Sequence, residues 1–229
     1  MLRVGGGRCV RSRTYGQCAS FMTETVPHLA ALLERSAAAT SSGPDARDAI
    51  ERAVVELIDA LRHHHTGTAE HSNRLAVDCA RVGNELDLAP DHIFELELVA
   101  ILHDIGKLAV PTSILDLARP LNSRERAVVR AHTIRGAEIL AEIAGLAHLA
   151  PYVRASHERW DGMGYPDGLL GEQIPLAARI VFTVDAYDAM TNDRPYRGAL
   201  ERDEARRRIS AGAGTAFDPR VVLALLGAV

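Results

Sequence analysis

Hydrophobic residues recur at intervals of three and four along most of the chain, which is the spacing of one face of an α-helix. A first helix is predicted behind Pro27 and should stop by Ser41-Ser42-Gly43-Pro44. A second helix, capped by Asp45, carries an apolar face formed by Ile50, Val54, Leu57, Ile58 and Leu61. Residues 24–64 are therefore expected to form a helical pair, which is a candidate packing or homodimerisation element.

Three adjacent histidines, His63-His64-His65, end the second predicted helix. Neighbouring residues point about 100° apart on a helix, so these side chains cannot all bind one ion unless the backbone unwinds. A helix C-terminus favours positive charge. We interpret the three as surface histidines.

Beyond residue 65 the apolar faces of the predicted helices include polar residues. A helix that begins after Thr66-Gly67-Thr68 places His71 on one face with Leu75, Cys79, Val82 and Leu86. The next helix, capped by Asp91, runs into His103-Asp104 and is expected to stop at Gly106. A buried imidazole and carboxylate are costly unless each has a hydrogen bond, a counter-charge or a metal ion.

Three more predicted helices repeat this arrangement. Asn122 and Glu125 form a capping box before a helix whose face contains Val128, His132, Gly136, Ile139 and Ile143. A short helix that starts at Pro151 aligns Leu149, Val153 and His157. The helix from about Leu176 to Met190 buries Val181, Val184 and Asp185. Each helix therefore turns a histidine or a carboxylate inward.

The inward-facing polar residues comprise four imidazoles and two carboxylates, without a thiolate. They are His71, His103, Asp104, His132, His157 and Asp185. Each one alone is more often a hydrogen-bonded core residue than a ligand, but five helices that each deliver such a group favour a shared metal site. Nitrogen and oxygen ligands suit Mn, Fe or Zn, and a set of this size suits two ions better than one.

Asp104 is the candidate bridge between two ions, because a carboxylate can bind one ion with each oxygen, and His103 would be a terminal ligand. Two such ions would generate a hydroxide nucleophile at neutral pH and bind a phosphoryl oxygen in an in-line displacement. Phosphoester hydrolysis is the expected chemistry. Lys107, one turn beyond His103, would approach the phosphate. A solvated lysine at a helix end is the alternative.

Composition restricts the possible domain number, partners and location of the protein. The 229 residues are 47% hydrophobic, enough for one domain with a small appendage. A net charge of −4 without a basic stripe argues against a nucleic-acid polymer as partner. No apolar run is long enough to cross a membrane, so we do not expect the protein to be associated with a membrane. Three cysteines without CxxC spacing indicate a reducing compartment, and the cytoplasm is the expected location.

The first 23 residues contain four arginines around Gly5-Gly6-Gly7 and no apolar segment typical of a secretion signal. We interpret them as a flexible tail. The expected organisation is a tail over residues 1–23, a helical region over 24–64 and one functional domain over 65–229.

Two segments, His103-Asp104-Ile-Gly-Lys107 and His157-Glu-Arg-Trp-Asp-Gly-Met-Gly-Tyr-Pro166, closely resemble the signature of the HD-GYP family of HD-superfamily phosphohydrolases. The resemblance runs from about Thr66 to Leu226. It also includes His71-Ser-x-Arg74, Ile174-Pro-Leu-x-Ala-Arg179, Asp185-x-x-Asp188-Ala-Met, Asp193-Arg-Pro-Tyr-Arg197 and Phe217-Asp-Pro219. Chance does not explain so many matches in one order.

The resemblance implies an all-α HD-superfamily bundle, which the short N-terminal helical pair predicted from periodicity would precede. It also implies a metal-dependent phosphodiesterase that hydrolyses cyclic di-GMP to pGpG, GMP or both. Two divalent ions, Fe or Mn, would be bound by the same six residues, and Lys107 would contact the scissile phosphate. Asp188, Arg194 and Arg197 would hold a guanine base and a phosphate; the last is arginine where lysine is common.

The segment Gly164-Tyr165-Pro166 lies among glycines and prolines that cannot continue a helix, so an ordered loop is expected. Trp160 and Tyr165 are expected to anchor it. In the family this loop is associated with the shape of the substrate site and with binding of diguanylate-cyclase-type partners. A purely structural loop is the alternative.

The sequence departs from the family at two positions. Ser156 stands where a histidine is common, and Gly67 stands where some members have a glutamate associated with a third metal. We expect a binuclear centre whose second ion is held more weakly than usual. Two alternatives stay open: an HD-superfamily hydrolase of another nucleotide phosphate, and a signalling adaptor that binds cyclase-domain proteins without catalysis.

Overall fold

The computed structural model describes residues 44–193 and 198–229, which form a bundle of α-helices. The helices are α1 (Pro44–His64), α2 (Thr66–Glu85), α3 (Pro90–Leu102), α4 (Thr112–Leu115), α5 (Ser123–Arg130), α6 (His132–Ala141), α7 (Ala150–Arg154), α8 (Leu176–Thr191), α9 (Arg202–Ala211) and α10 (Pro219–Ala228). Short 3-10 helices cover Ile105–Ala109, Ala147–Leu149 and Gly171–Gln173. The described residues form no β-strand, only two isolated bridges, so the all-α prediction is confirmed.

Helix α2 lies at the centre of the bundle, in contact with α1, α3, α8 and α10. Its predicted apolar face is buried at Leu75, Cys79 and Val82. Fully burying one such large aliphatic side chain contributes about 1.5–3 kcal/mol, so this face fixes the orientation of α2. His71 lies on the same face and is thereby directed toward α8.

Helix α1 packs against the same core through Val54, Ile58 and Leu61. The expected boundary between residues 64 and 65 falls at the break between α1 and α2, and it stays a prediction. The predicted tail and the first predicted helix lie outside the described residues. None of the described helices is both long and apolar enough to span a bilayer.

The three adjacent histidines do not share one environment. His63 is exposed and bonds through Nδ1 to the Asp59 carbonyl. His64 and His65 are partly buried, bonded to the Val110 carbonyl and to the Thr68 hydroxyl at 2.8 Å each. The surface interpretation is therefore wrong for His64 and His65, because α1 ends against neighbouring segments of the bundle and not in open solvent.

Two predicted helix caps are wrong. Asp45 is the second residue of α1, and Asp91 is the second residue of α3, whose N-cap is Ala89. Pro90 occupies the first helical position of α3, where the missing N–H costs nothing because that group has no helical partner. By contrast, the predicted capping box of Asn122 and Glu125 forms as expected.

The helix predicted across residues 123–143 is broken into α5 and α6 at Ala131. The His132 Nδ1–H donates to the Val129 carbonyl and the Thr133 hydroxyl donates to the Arg130 carbonyl, at 2.6 and 3.3 Å. Side-chain donors of this kind compete with helical N–H groups for the same carbonyls. After the break Val128 is 41% exposed, so its predicted place on the buried face is wrong.

Gly106 does not end α3, which already stops at Leu102; it lies inside the 3-10 helix Ile105–Ala109. A Cβ atom on Gly106 would overlap the carbonyl oxygen of His132 and the amide nitrogen of Gly136. The glycine is therefore required where the 3-10 helix crosses the start of α6. This crossing brings Asp104 to His132.

Candidate metal centre

Six histidine and aspartate side chains from five places in the chain converge at this crossing. His71 lies on α2 and Asp185 on α8, whereas His103 and Asp104 directly follow α3. Two more are His132, the first residue of α6, and His157, in the turn that follows α7. His157 therefore lies beyond its predicted helix, because α7 ends at Arg154. The structure thus brings together all six residues of the predicted ligand set.

The side chains form two groups with one member in common. In the His71 group, potential ligand atoms of His71, His103 and Asp104 lie within 4.8 Å of one another. In the His157 group, those of Asp104, His132 and His157 meet the same limit. A carboxylate shared by two such groups has the arrangement of a bridging ligand.

Two buried atoms in the centre have no hydrogen-bond partner: Asp104 Oδ1 and His132 Nε2. They face each other at 3.3 Å, and the two side chains are 3% and 2% exposed. Buried polar atoms without partners are costly, and a carboxylate oxygen beside an imidazole nitrogen is a good ligand pair for a divalent cation. The donor set therefore fits metal binding.

The tautomers of two histidines are fixed by backbone carbonyls. The Nδ1–H of His103 donates to the Ala100 carbonyl at 2.7 Å, as that of His132 does to Val129. The Nε2 atoms consequently point to the Asp104 carboxylate, at 3.4 Å from Oδ2 and 3.3 Å from Oδ1. A bond to Nδ1 that leaves Nε2 free is the usual preparation of a metal-binding histidine.

His71 lies between two carboxylates. Its Nε2 is 3.0 Å from Asp185 Oδ1 and its Nδ1 is 2.6 Å from Asp188 Oδ2. Burial lowers the pKa of His71, but Asp185 and Asp188 outweigh it and raise the pKa to about 9. The pKa values of both carboxyls are lowered, because the hydrogen bond from His71 outweighs their burial.

Asp188, predicted to hold substrate, is only 6% exposed in its side chain and lies behind His71. Its other oxygen, Oδ1, accepts hydrogen bonds from Arg74 Nε and Asn192 Nδ2 at 3.3 and 2.9 Å. Asp188 thus takes the place at His71 that a backbone carbonyl takes at His103. This geometry fits the orientation of a ligand and leaves Asp188 little surface for substrate.

His157 has a different environment, since an aromatic ring covers it. Tyr165 stacks on its imidazole with ring centroids 5.2 Å apart and an angle of 10° between the planes. Burial, helped by the nearby His132, lowers the pKa of His157 to about 3. Burial also raises the pKa of the Tyr165 phenol above its usual value. Both side chains are therefore neutral near pH 7.

Lys107 is partly buried and bonded to the shared carboxylate, with Nζ 2.6 Å from Asp104 Oδ2. The alternative of a fully solvated lysine is therefore excluded. Burial raises the pKa of Asp104, but the charges of His103 and Lys107 outweigh this and hold it well below its usual range. Asp104 is thus ionised and ready to bind a cation.

The glycine-rich loop is held by a buried carboxylate that sequence reasoning missed. Glu158 is 1% exposed and accepts hydrogen bonds from the amides of Asp167, Gly168 and Leu169, at 2.6, 3.0 and 3.2 Å. A Cβ on Gly164 would overlap the backbone of Glu158, so the loop folds directly onto its own start. The signal was a carboxylate next to His157, directly ahead of the glycines.

The expected anchoring of the loop by Trp160 and Tyr165 agrees with their contacts. The Arg179 guanidinium lies 5.6 Å from the Trp160 ring centroid and also binds Asp218 at 2.6 Å. Tyr165 and Pro166 lie at the other end of the loop, where the Tyr165 amide donates to the His157 carbonyl at 3.2 Å. The loop thus places Tyr165 over the metal centre.

Ser156 is buried, with 1% exposure, and its hydroxyl donates to the Val153 carbonyl at 2.8 Å. Its hydroxyl proton is therefore engaged in a hydrogen bond within the turn that follows α7. The other two predicted substrate residues, Arg194 and Arg197, lie outside the described residues.

The protein family model described as "HD domain" matches residues 55–221 of the chain. The chain is 35% identical to the cyclic di-GMP phosphodiesterase response regulator RpfG of Xanthomonas campestris, over 89% of this chain and 54% of that protein. The chain belongs to the HD-GYP family. A second relative, the 3'3'-cGAMP-specific phosphodiesterase 3 of Vibrio cholerae, is 36% identical over 78% of this chain and 38% of its own length.

Among solved structures, the HDG"Y"P protein Bd1817 of Bdellovibrio bacteriovorus is similar with a TM-score of 0.58 and 19% identity. The match covers 69% of this chain and 51% of that one, and it shows that the HD-type fold is shared. The chain spans about half the length, or less, of the relatives that it matches.

Proposed function

We propose that this HD-GYP protein is a metal-dependent phosphodiesterase that hydrolyses cyclic di-GMP to pGpG, GMP or both. The observation that carries the proposal is the Asp104 carboxylate, which belongs to both groups of potential ligands and has a buried, unpartnered Oδ1 beside His132 Nε2. The names of the relatives support the reaction class, since both are phosphodiesterases of cyclic dinucleotides.

In this proposal two divalent cations, Fe or Mn, would share Asp104 as a ligand. His71, His103 and Asp185 would complete one site, and His132 and His157 would contribute to the other. Cations bound there would supply positive charge to a phosphoryl oxygen and lower the pKa of a nucleophilic water. The His157 group has fewer side-chain ligands, because Ser156 replaces a histidine and its proton is engaged by Val153.

The surrounding residues orient the ligands and the substrate. Carbonyls fix His103 and His132, so the Nε2 lone pairs of these two histidines are available without reorganisation. Asp188 fixes the orientation of His71, whose Nε2 must lose its proton before it can act as a ligand. Lys107 would exchange its bond to Asp104 for one to the scissile phosphate, since its side chain is partly exposed. Tyr165 shields His157 from water and keeps its imidazole in place.

The choice of cyclic di-GMP follows the family resemblance and the name of the Xanthomonas relative. The Vibrio relative is named for 3'3'-cGAMP, which differs from cyclic di-GMP in one base, so cGAMP is the second candidate substrate. Both contain two phosphodiester bonds in one ring. The proposed metal chemistry is the same for either.

Replacement of the shared carboxylate, Asp104→Asn, tests the proposal. We expect the wild-type protein, purified without oxygen, to bind two ions per chain and to hydrolyse cyclic di-GMP with Mn²⁺ or Fe²⁺. The variant should bind fewer ions and lose about a thousandfold or more in kcat/KM, because a ligand of both ions loses its charge.

Asp87→Asn is the matched control, since Asp87 is exposed and asparagine tolerates its left-handed backbone, with φ of 54°. Metal content and nucleotide products are measured on the same samples. Three ions in the wild-type chain, or full activity in Asp104→Asn, would contradict the binuclear mechanism.

A further inference from the structure

Arg130, in the last turn of α5, lies over the ring of Tyr165. Its guanidinium carbon lies 4.8 Å from the Tyr165 ring centroid, within the range of a cation–π contact. The Arg130 side chain is exposed. Because Tyr165 also stacks on His157, one aromatic ring contacts both this cation and a residue of the candidate metal centre.

Two nearby arginines are neutralised by carboxylates, whereas Arg130 is not neutralised by any of the described residues. Arg119 binds Glu125 through two hydrogen bonds of 2.8 and 2.6 Å, and Arg135 binds Glu138 at 2.7 Å. In the part of the chain that the structure describes, no carboxylate lies within ion-pair distance of Arg130. Its charge and its N–H groups are therefore available to an anionic ligand.

The contact with Tyr165 restricts the guanidinium without using its hydrogen-bond donors. An arginine that lies over a ring keeps the N–H groups at its edge free, and a pair of them matches two oxygens of a phosphate. The helix break at Ala131 places Arg130 here, because the end of α5 and the start of α6 both border the centre. Arg130 is thus a positioned cation at the rim of the site.

We infer that Arg130 binds the second, non-reacting phosphodiester of a cyclic dinucleotide whose first phosphodiester is at the metal centre. This inference rests on the proposed function and adds a residue that selects substrates with two linked phosphates. A substrate with a single phosphodiester gains nothing from Arg130. The residue therefore contributes to substrate choice and not to the hydrolytic step.

Two substrates separate these contributions: cyclic di-GMP, with two phosphodiesters, and bis(p-nitrophenyl) phosphate, with one. For Arg130→Ala we expect kcat/KM for cyclic di-GMP to fall about tenfold to thirtyfold, mainly through KM, as when one charged hydrogen-bond pair is lost. Turnover of bis(p-nitrophenyl) phosphate and metal content should stay within about twofold of wild type, because the metal ligands are intact.

Arg124→Ala is the matched control, because Arg124 is an exposed arginine on the same helix that lies six residues away and points in another direction. It should leave both substrates unchanged. Arg130→Lys keeps the charge but not the planar pair of donors, so it should recover part of the affinity. KM for cyclic di-GMP should also rise less steeply with salt in Arg130→Ala than in wild type.

The inference is overturned if Arg130→Ala cleaves cyclic di-GMP as wild type does, if its salt dependence is unchanged, or if both substrates are affected equally. A wild-type protein that hydrolyses bis(p-nitrophenyl) phosphate but neither binds nor cleaves a cyclic dinucleotide would instead refute the proposed function, and the inference with it. Direct binding of cyclic di-GMP to the metal-loaded protein distinguishes these results.

Discussion

The two halves of the candidate metal centre share Asp104 but are stabilised in opposite ways. In the His71 group, carboxylates lie on both sides of the imidazole and raise its pKa to about 9. In the His157 group, an aromatic ring covers the imidazole, and burial lowers its pKa to about 3. In the metal-free protein one histidine therefore carries a proton near pH 7 and the other does not.

This difference determines what each half loses when a cation binds. A histidine must be neutral to act as a ligand, so an ion at His71 has to displace a proton, whereas one at His157 does not. In return, Asp185 and Asp188 give the His71 group more negative charge than the His157 group has. One half thus depends on charge and pH, and the other depends on the loop that covers it.

The largest difference between the two halves is expected in how their affinity for Mn²⁺ depends on pH. Well below the pKa of His71, about 9, proton competition should weaken Mn²⁺ binding to the His71 group about tenfold per pH unit, which gives about fiftyfold from pH 9 to pH 7. His157 contributes no such dependence in this range, because its pKa is about 3. Calorimetric Mn²⁺ titrations in buffers of different ionisation enthalpy measure the affinity and the protons released.

The same pKa shift predicts the stability of the metal-free protein. A folded-state pKa above the ordinary 6.5 means that His71 stabilises the fold fully below about pH 6.5, and this contribution disappears as pH rises through about 9. Metal-free protein should therefore melt at a lower temperature at pH 9.5 than at pH 6.5. Affinity for Mn²⁺ that is constant from pH 7 to pH 9 would refute the proton competition.

A smaller effect, confined to the His71 group, is expected from Asp188→Asn. The amide keeps the size of the carboxylate but not its charge, so at pH 9 and above, where proton competition at His71 is small, we expect a loss of about tenfold to thirtyfold in affinity for one ion. The pH dependence should also weaken, because the pKa of His71 falls toward 6.5. Mn²⁺ titration followed by electron paramagnetic resonance reports how many ions remain bound.

Asp188→Asn also distinguishes the two roles of this residue. If the variant binds both ions like the Asp87→Asn control but has a higher KM for cyclic di-GMP, then Asp188 holds substrate, as the family resemblance implies. If metal affinity falls first, then Asp188 positions His71, as its contacts suggest. The two results cannot be confused, because metal binding is measured without nucleotide.

Helical periodicity predicted the residues that converge at the centre, because each is a polar residue on a helix face that is otherwise apolar and must be buried. His71 on α2 and Asp185 on α8 are the clearest cases, since those helices form almost as predicted. His157 was also predicted, although it lies three residues beyond the end of α7. The turn that follows the helix still directs this side chain toward the core. Local patterns therefore sufficed to identify this polar set.

Contacts between distant parts of the chain could not be predicted in this way. Asp188 bonds to His71 across 117 residues, and the place of Gly106 depends on a crossing with α6. The break at Ala131 depends on side chains that compete for carbonyls, which the apolar pattern does not register. Arg130 does not lie on a predicted apolar face, so helical periodicity did not indicate it. Its position over Tyr165 depends on both the helix break at Ala131 and the loop that contains Tyr165.

The smallest effect, confined to the His157 group, is expected from Glu158→Gln. The buried carboxylate accepts three loop amides, and its replacement should cost about 1.5–3 kcal/mol of stability, since hydrogen bonds to a charged group become neutral ones. Tyr165 would then cover His157 less firmly. Because every ligand remains, affinity for the second ion should fall by only about threefold, and thermal unfolding should show the larger change.

Glu138→Gln is the matched control, because Glu138 pairs with Arg135 on the exposed side of α6 and its side chain is 55% exposed. Such surface pairs contribute about 0–1 kcal/mol, so this variant should melt close to wild type. If Glu158→Gln instead weakens the ion of the His71 group equally, then the loop supports the whole centre through Asp104. The contrast between a half held by charge and a half held by the loop would then be wrong.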